Sequence, residues 1–183
     1  MNKEKTQKNL IDERLETERL LLLPISMKYC DDIFREFTKE VTVYMYPRAA
    51  EDVSETEEFI NCSIDDLKNG SSLQMIVLLK NNQEFLGCAG LHRANTKTPE
   101  FGIWLKKSAQ GQDFGQETIN ALKKWADENL AYDYLLYPVA DKNLASRKIP
   151  EALGGKIAKE YDQVGLGGNA YHCLEYRIYP VEK

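Results

Sequence analysis

The sequence is poor in the residues that build metal sites. It has two histidines, His92 and His172, and four cysteines, Cys30, Cys62, Cys88 and Cys173, with no CxxC pair and no His–Cys cluster. That spacing argues against a structural zinc centre and against a disulfide framework, so no metal is expected. Isolated cysteines in a domain of this size read as small buried hydrophobes in a reducing compartment. Long apolar runs are missing as well, and none approaches the ~20 residues of a bilayer-spanning helix, so no membrane contact is expected. Nor is there an excess of positive charge: 24 Lys and Arg against 29 Asp and Glu give a net charge of −5. No global basic field would attract nucleic acid or an anionic membrane, whereas an acidic surround suits a cationic amine. Residues 1–15 are polar and mixed in charge, without the apolar core of a secretion signal. They are expected to form a flexible tail ahead of a single cytoplasmic domain over residues 16–183.

What is present is ordinary for a soluble domain. Hydrophobic residues make up 43% and charged residues 29% of 183 positions, enough to bury a core without staples. Glu18 to Ile25 is an apolar run closed by Pro24 and reads as a first strand. Ser26 is placed to cap a helix carrying Ile33, Phe34 and Phe37 on one face. After the aromatic, irregular segment 41–53, Ser54 and Glu57 form an S-x-x-E capping box for a second helix with Phe59, Ile60, Ile64 and Leu67 as its stripe. Asn69-Gly70 ends that helix. Three runs, 73–79, 84–91 and 100–105, are joined by short polar turns and predict an antiparallel meander. Residues 114–130 return to helical spacing. Then come a strand (132–140), a helix (143–153) and two strands (156–164 and 171–181), with the glycine-rich link Gly165-Leu166-Gly167-Gly168 between the last two. The order predicts an α+β domain with a mostly antiparallel sheet of about seven strands and about four helices.

The most informative stretch is Glu100 to Gly115, EFGIWLKKSAQGQDFG. A strand ends, a polar loop with glycine follows, and an amphipathic helix begins. Such a loop aims free backbone N–H groups and the positive end of a helix at one point, which makes an anion site. A plain strand-to-helix connection has the same local look. A P-loop Gly-Lys-Ser/Thr and the Rossmann glycine spacing are both absent, which sets nucleotide binding aside.

Gln110-Gly111-Gln112-Asp113-Phe114-Gly115 resembles the Gln/Arg-x-x-Gly-x-Gly/Ala signature of GNAT acetyltransferases. Glu100-x-Gly102-x-Trp104-Leu105, followed by Leu122, Trp125 and Ala126, is similar to the branch that acetylates ribosomal-protein N-termini. So are Glu16-Thr17-Glu18-Arg19-Leu20, the Asn143-x-x-Ser146-Arg147 helix opening and Glu151 to Gly154. The likeness spans residues 16–180, with its motifs in order.

The resemblance implies a GNAT-like fold and a transfer of acetyl from acetyl-CoA to an amine. It implies that amides of Gln110, Gly111, Gln112, Asp113, Phe114, Gly115 and Gln116 hold the cofactor's diphosphate. Trp104, Leu105 and Lys106 would meet the pantetheine through their main chain, and Asn143 would hydrogen-bond it. Ser146 would sit near the sulfur as the acid, and Glu100 would be the base. Arg147 or Lys148 would reach the anionic end. A strand-end carboxylate, a helix cap and a solvated helix face are the corresponding plain readings of Glu100, Ser146 and Arg147. Tyr171 and His172 either line the acceptor slot or simply pack. The acceptor is expected to be a protein N-terminus, such as that of a ribosomal protein, or a small amine. A homodimer through the last strand or the Tyr44–Tyr46 segment is compatible with the sequence.

Three positions depart from the family pattern. Asp113 stands where the first signature glycine is usual, and its carboxylate either faces the diphosphate or caps the next helix. If it faces the diphosphate, a like-charge pair ~5 Å apart opposes binding by on the order of 1–3 kcal/mol. Pro150 is expected to kink or shorten its helix. Gly155 replaces an aromatic. Asp113 and Pro150 support the alternative of a non-catalytic domain that binds a ligand or partner on the same scaffold.

Overall fold

The computed structural model describes residues 8–181. Its first half runs β1 (Leu15–Glu16), β2 (Leu20–Pro24), α1 (Cys30–Glu36), α2 (Val53–Asn69), β3 (Leu73–Leu79), β4 (Phe85–His92) and β5 (Glu100–Leu105). The second half runs α3 (Phe114–Asn129), β6 (Leu135–Ala140), α4 (Leu144–Ala152), β7 (Lys156–Val164) and β8 (Ala170–Ile178). All eight strands form one sheet in the order β1-β2-β3-β4-β5-β6-β8-β7. The strand beyond the expected seven is β1, two residues paired as Leu15↔Leu22 and Glu16↔Leu21.

The order follows from connection length. Short loops join β3 to β4 and β4 to β5 as antiparallel neighbours, while β2, separated from β3 by the two helices α1 and α2, pairs with it antiparallel. The connection from β5 to β6 carries a whole helix, so those two strands are parallel. β3 is buried from Leu73 to Leu78, as expected of a strand covered on both faces. Helices α1 and α2 pack on one face, and α3 and α4 on the other. Leu20, Leu22, Ile60, Leu67, Ile76, Ile119 and Leu122 are all fully buried in the shared core, each stabilising the fold by about 1.5–3 kcal/mol.

Local details correct several expectations. Ser26 precedes a 3-10 turn over Met27–Tyr29 and makes no side-chain cap, so α1 starts only at Cys30. The cap of α2 is Asp52, whose carboxylate accepts from Ser54 N–H at 2.9 Å, in place of the Ser54–Glu57 box. Gly70 does end α2, in the left-handed conformation with φ 72°. Within the stretch expected to be tail, Leu10 is buried and its N–H donates to the Leu67 carbonyl at 2.9 Å, which ties that part of the chain to α2. Residues 1–7 lie outside the described residues. Among the described residues no helix is long and apolar enough to cross a membrane.

Candidate active site

β5 and β6 are joined at a single register pair, Glu100↔Leu136. Beyond it the two parallel strands diverge, and the edges of both are left without a strand partner. Lys106 N–H donates to the Leu86 carbonyl at 2.7 Å, which fixes the alternation along β5. The amides and carbonyls of Ile103 and Leu105 therefore face the gap, while those of Trp104 are turned to β4. Lys106 also gives its ammonium to Glu84 at 2.7 Å.

At the wide end of the gap the chain makes a 3-10 turn over Lys107–Ala109 and enters α3. Gln110 Nε2 donates to the Leu105 carbonyl at 3.0 Å and Gln112 Nε2 to the Ser108 carbonyl at 3.1 Å, bracing the loop. Among the described residues the amides of 111–116 have no protein acceptor, so the loop presents a row of free donors at a helix N-terminus. Gly115 sits close to α4: a Cβ there would lie 3.2 Å from Ile149 Cδ1, so a larger residue would need that side chain to shift. Asp113 occupies the cap position in the left-handed region, φ 61° and ψ 11°, and makes no side-chain capping bond. That conformation is natural to glycine and tolerated by Asp and Asn, so the backbone of the signature is kept with another residue.

A cation stands beside this loop. Arg19 donates to the Gln112 carbonyl at 3.0 Å, stacks on the Phe114 ring at 4.5 Å and pairs with Glu117 at 2.7 Å. Burial raises the Glu117 carboxyl, but hydrogen bonds from Thr17 and from the Arg19 backbone and guanidinium outweigh it and hold the group below its ordinary value.

The two faces of the gap carry different chemistry. Tyr137 on β6 points to the α3/α4 face, near Phe101, and its hydroxyl shares a 2.8 Å hydrogen bond with Ser146 Oγ on α4. Burial pushes the Tyr137 phenol up to about 12, against a smaller opposing effect of the Ser146 bond. Asn143 caps α4 by accepting from Ser146 N–H at 3.3 Å, which orients the serine. Pro150 lies inside α4, buried, and the helix runs only two residues beyond it. Gly155 follows with no room for a side chain: a Cβ would lie 2.8 Å from the Pro150 carbonyl oxygen.

On the α1/α2 face sit Glu100, Gly102 and Trp104, with His92 opposite Glu100 on β4. Glu100 accepts from Arg93 at 2.7 Å. Burial raises its carboxyl above the ordinary value; Arg93 partly offsets this and Glu175 adds to it. A half-buried carboxylate made more basic is suited to taking a proton near neutral pH. Beside it, against Gly102 to Trp104, a cavity of about 330 Å³ opens between β5 and the α1–α2 segment.

A sequence profile described as the acetyltransferase (GNAT) domain matches residues 19–156. The chain belongs to the GNAT acetyltransferase family. The uncharacterised N-acetyltransferase p20 of Bacillus licheniformis is 25% identical over 144 residues, covering 77% of this chain and 81% of the relative. Among solved structures, the Salmonella typhimurium acetyl transferase that modifies the N-terminal serine of ribosomal protein L7/L12 superposes with a TM-score of 0.79. That match has 16% identity over 92% of this chain and 100% of the other. Spermidine N-acetyltransferase from Vibrio cholerae, solved with CoA and spermine, gives a TM-score of 0.77 at 17% identity, over 89% and 96% of the two chains. The fold is that of a GNAT N-acetyltransferase.

On this GNAT frame the end of β5 and the loop 110–116 lie at the wide end of the gap and Glu100 at its closed end, while Ser146, capped by Asn143, meets Tyr137 of β6. Arg147 is turned elsewhere: it donates to the Asp141 carbonyl at 3.0 Å, approaches Tyr176 at 3.4 Å and lies 3.8 Å from Glu151. Arg19 is the guanidinium next to the loop. Sequence reasoning passed over Arg19, Tyr137 and Ile103. The one available signal was alternation along β5 and β6, which puts Ile103 and Tyr137 on the face of α3 and α4. His172 is half-buried, with Asp162 at 2.8 Å and Glu160 at 3.1 Å.

Proposed function

We propose that this N-acetyltransferase moves the acetyl group of acetyl-CoA directly to a primary amine, on a protein N-terminus or on a small molecule. The observation that carries the reading is the gap between β5 and β6, bordered by free loop amides at its wide end. Glu100 lies on one face of it and the Ser146–Tyr137 pair on the other. The donor set fits the co-substrate: the amides of 111–116 suit a diphosphate, with Arg19 beside them in its pair with Glu117, and the free edge of Ile103 with the Leu105 N–H suits an amide-bearing arm. Asn143 keeps its Nδ2 as a further donor, and Asp113 is the one unfavourable charge. Bound there, acetyl-CoA supplies an activated acyl thioester.

Glu100 then removes a proton from the attacking amine, directly or through a water, and Ser146 Oγ delivers one to the departing sulfur, with Tyr137 behind it. No covalent acyl-enzyme is required, so the cysteines take no part. The ribosomal-protein motifs around Glu100 and Ser146 and the likeness to the L7/L12 enzyme support a protein N-terminus. The likeness to the spermidine enzyme supports a small amine. The test is release of free CoA thiol from acetyl-CoA with a panel of N-terminal peptides and amines. Wild-type protein should turn over with at least one of them, and Glu100→Gln should lower kcat by 100-fold or more while acetyl-CoA still raises the melting temperature. An unchanged kcat in Glu100→Gln would remove Glu100 from the reaction.

A further inference from the structure

The cavity on the α1/α2 face has a distinct chemistry. Phe37, Phe59 and Trp104 give it aromatic walls, with Ile33 and Met45 between them. Gly102 keeps the floor open, since a Cβ there would lie 2.7 Å from His92 Nε2. The two formal charges on the wall satisfy each other. Arg48 donates to Glu55 Oε2 at 2.8 Å and to the Ala49 carbonyl at 2.9 Å, while Glu55 Oε1 accepts from the Glu51 N–H at 2.9 Å. Burial lowers the His92 imidazole below its ordinary value, with Asp66 opposing weakly, so the ring is neutral at physiological pH. The cavity thus offers no unpaired carboxylate to a second ammonium and no unpaired cation to a carboxylate.

The segment that roofs the cavity is pinned. Asn169 Nδ2 donates to the carbonyls of Val43 at 2.9 Å and Met45 at 3.1 Å, and Leu166 N–H donates to the Tyr46 carbonyl at 2.7 Å. The β7–β8 turn therefore holds Met45 and Pro47 in place over the pocket, as in a largely preformed site.

We propose that this cavity receives the aromatic or bulky aliphatic substituent of a monoamine, the acceptor whose amine is acetylated. The inference rests on the acetyl transfer proposed above and narrows its acceptor. At about 330 Å³ the space is at the small end for ligand sites and has room for a ring with the short chain that carries the amine, since a cavity of ~150 Å³ already holds benzene. A serine side chain would leave most of it unfilled, and a polyamine would set a second ammonium against charges that are already paired. A seated ring lies against the β5 backbone, with its amine directed to the gap where the strand edge is free. The same chemistry occurs in a peptide whose first residue is Phe, Trp or Leu and in a free arylalkylamine.

Two measurements test this. Phenethylamine titrated without acetyl-CoA should quench Trp104 emission saturably, and Ala50→Phe, which fills the cavity from its wall, should weaken that binding at least tenfold. Acetyl-CoA should still raise the melting temperature of the variant, which shows that it is folded. In turnover, a Phe-initiated peptide or phenethylamine should exceed both a Ser-initiated peptide and spermidine at least tenfold in kcat/KM; whichever of the two leads identifies the source. A preference for spermidine or the Ser-initiated peptide would overturn the proposal, as would binding that is absent or insensitive to Ala50→Phe. Binding that is lost in Ala50→Phe, with no amine acetylated, would sink the transfer reading and leave the pocket assignment standing.

Discussion

Replacing Asp113 by asparagine removes one negative charge from the loop ahead of α3 and leaves the backbone alone, because Asn tolerates the left-handed φ of 61° as Asp does. The Asp113 side chain is exposed and caps nothing, so the free protein should change by less than about 0.5 kcal/mol. A bound diphosphate should respond more. Two unit charges ~7 Å apart at an effective dielectric of ~40 interact by about 1.2 kcal/mol, close to a tenfold change in affinity. We expect Asp113→Asn to bind acetyl-CoA about tenfold more tightly by isothermal titration calorimetry at fixed ionic strength. The gain should shrink as salt rises, because the pair is separated by about one Debye length. Asp113→Ala loses the same charge but places a residue with no local hydrogen bond in the left-handed region, which costs about 1 kcal/mol. Its melting temperature should therefore fall by roughly 2–4 °C while its affinity rises as in the Asn variant. An Asp113→Asn protein with an unchanged dissociation constant would refute the reasoning, since the carboxylate would then point away from the anion.

Tyr137→Phe removes the hydroxyl that backs Ser146 at 2.8 Å; kcat should fall roughly tenfold with the KM for acetyl-CoA unchanged, and a KM effect alone would point to packing. Arg93 holds the Glu100 carboxyl down against burial, so Arg93→Gln should shift the rising limb of the kcat/KM–pH profile to higher pH, whereas an unmoved limb would mean that Glu100 is not the base observed. His172 is raised above its ordinary value by the hydrogen bonds that it donates to Asp162 and then Glu160. Its contribution to stability is therefore complete below the unfolded value of ~6.5 and is lost as pH rises through the folded one. In His172→Asn, the fall in melting temperature over that interval should be smaller than in the wild type.

The elements were legible where the signal was local. β3, β5 and β7 came out with the expected bounds, and α3 within one residue, because an apolar run, alternation and a helical stripe are properties of adjacent residues. Caps were harder. Asp52-Val53-Ser54-Glu55-Thr56-Glu57 contains two overlapping frames, D-x-x-E and S-x-x-E. The choice is made by Arg48 reaching Glu55 at 2.8 Å, a contact across a loop that no helix rule sees. Leu10 looked like part of a polar tail because its burial comes from α2, more than fifty residues on. Arg147 matched a family position by sequence, yet a long side chain takes whichever partners are near, and the end of β6 and Tyr176 on β8 supply them. Arg19, by contrast, lies some ninety residues before the loop it supports.

The division of the site between the two faces of the sheet bears directly on the mechanism. Glu100, Gly102 and Trp104 face α1 and α2, while Phe101, Ile103 and Leu105 face α3 and α4, together with Tyr137 and Ser146. The proposed base and the proposed acid therefore lie on opposite sides of an eight-stranded sheet, and a continuous sheet would keep them apart. The single β5–β6 pair at Glu100 and Leu136 is what lets them act on one reacting centre. Past that pair the strands separate, so an amine arriving from the α1/α2 face and a thioester lying along the free edge of β5 can meet between them. Closing the gap by extending the β5–β6 pairing would leave every named side chain in place and still abolish transfer.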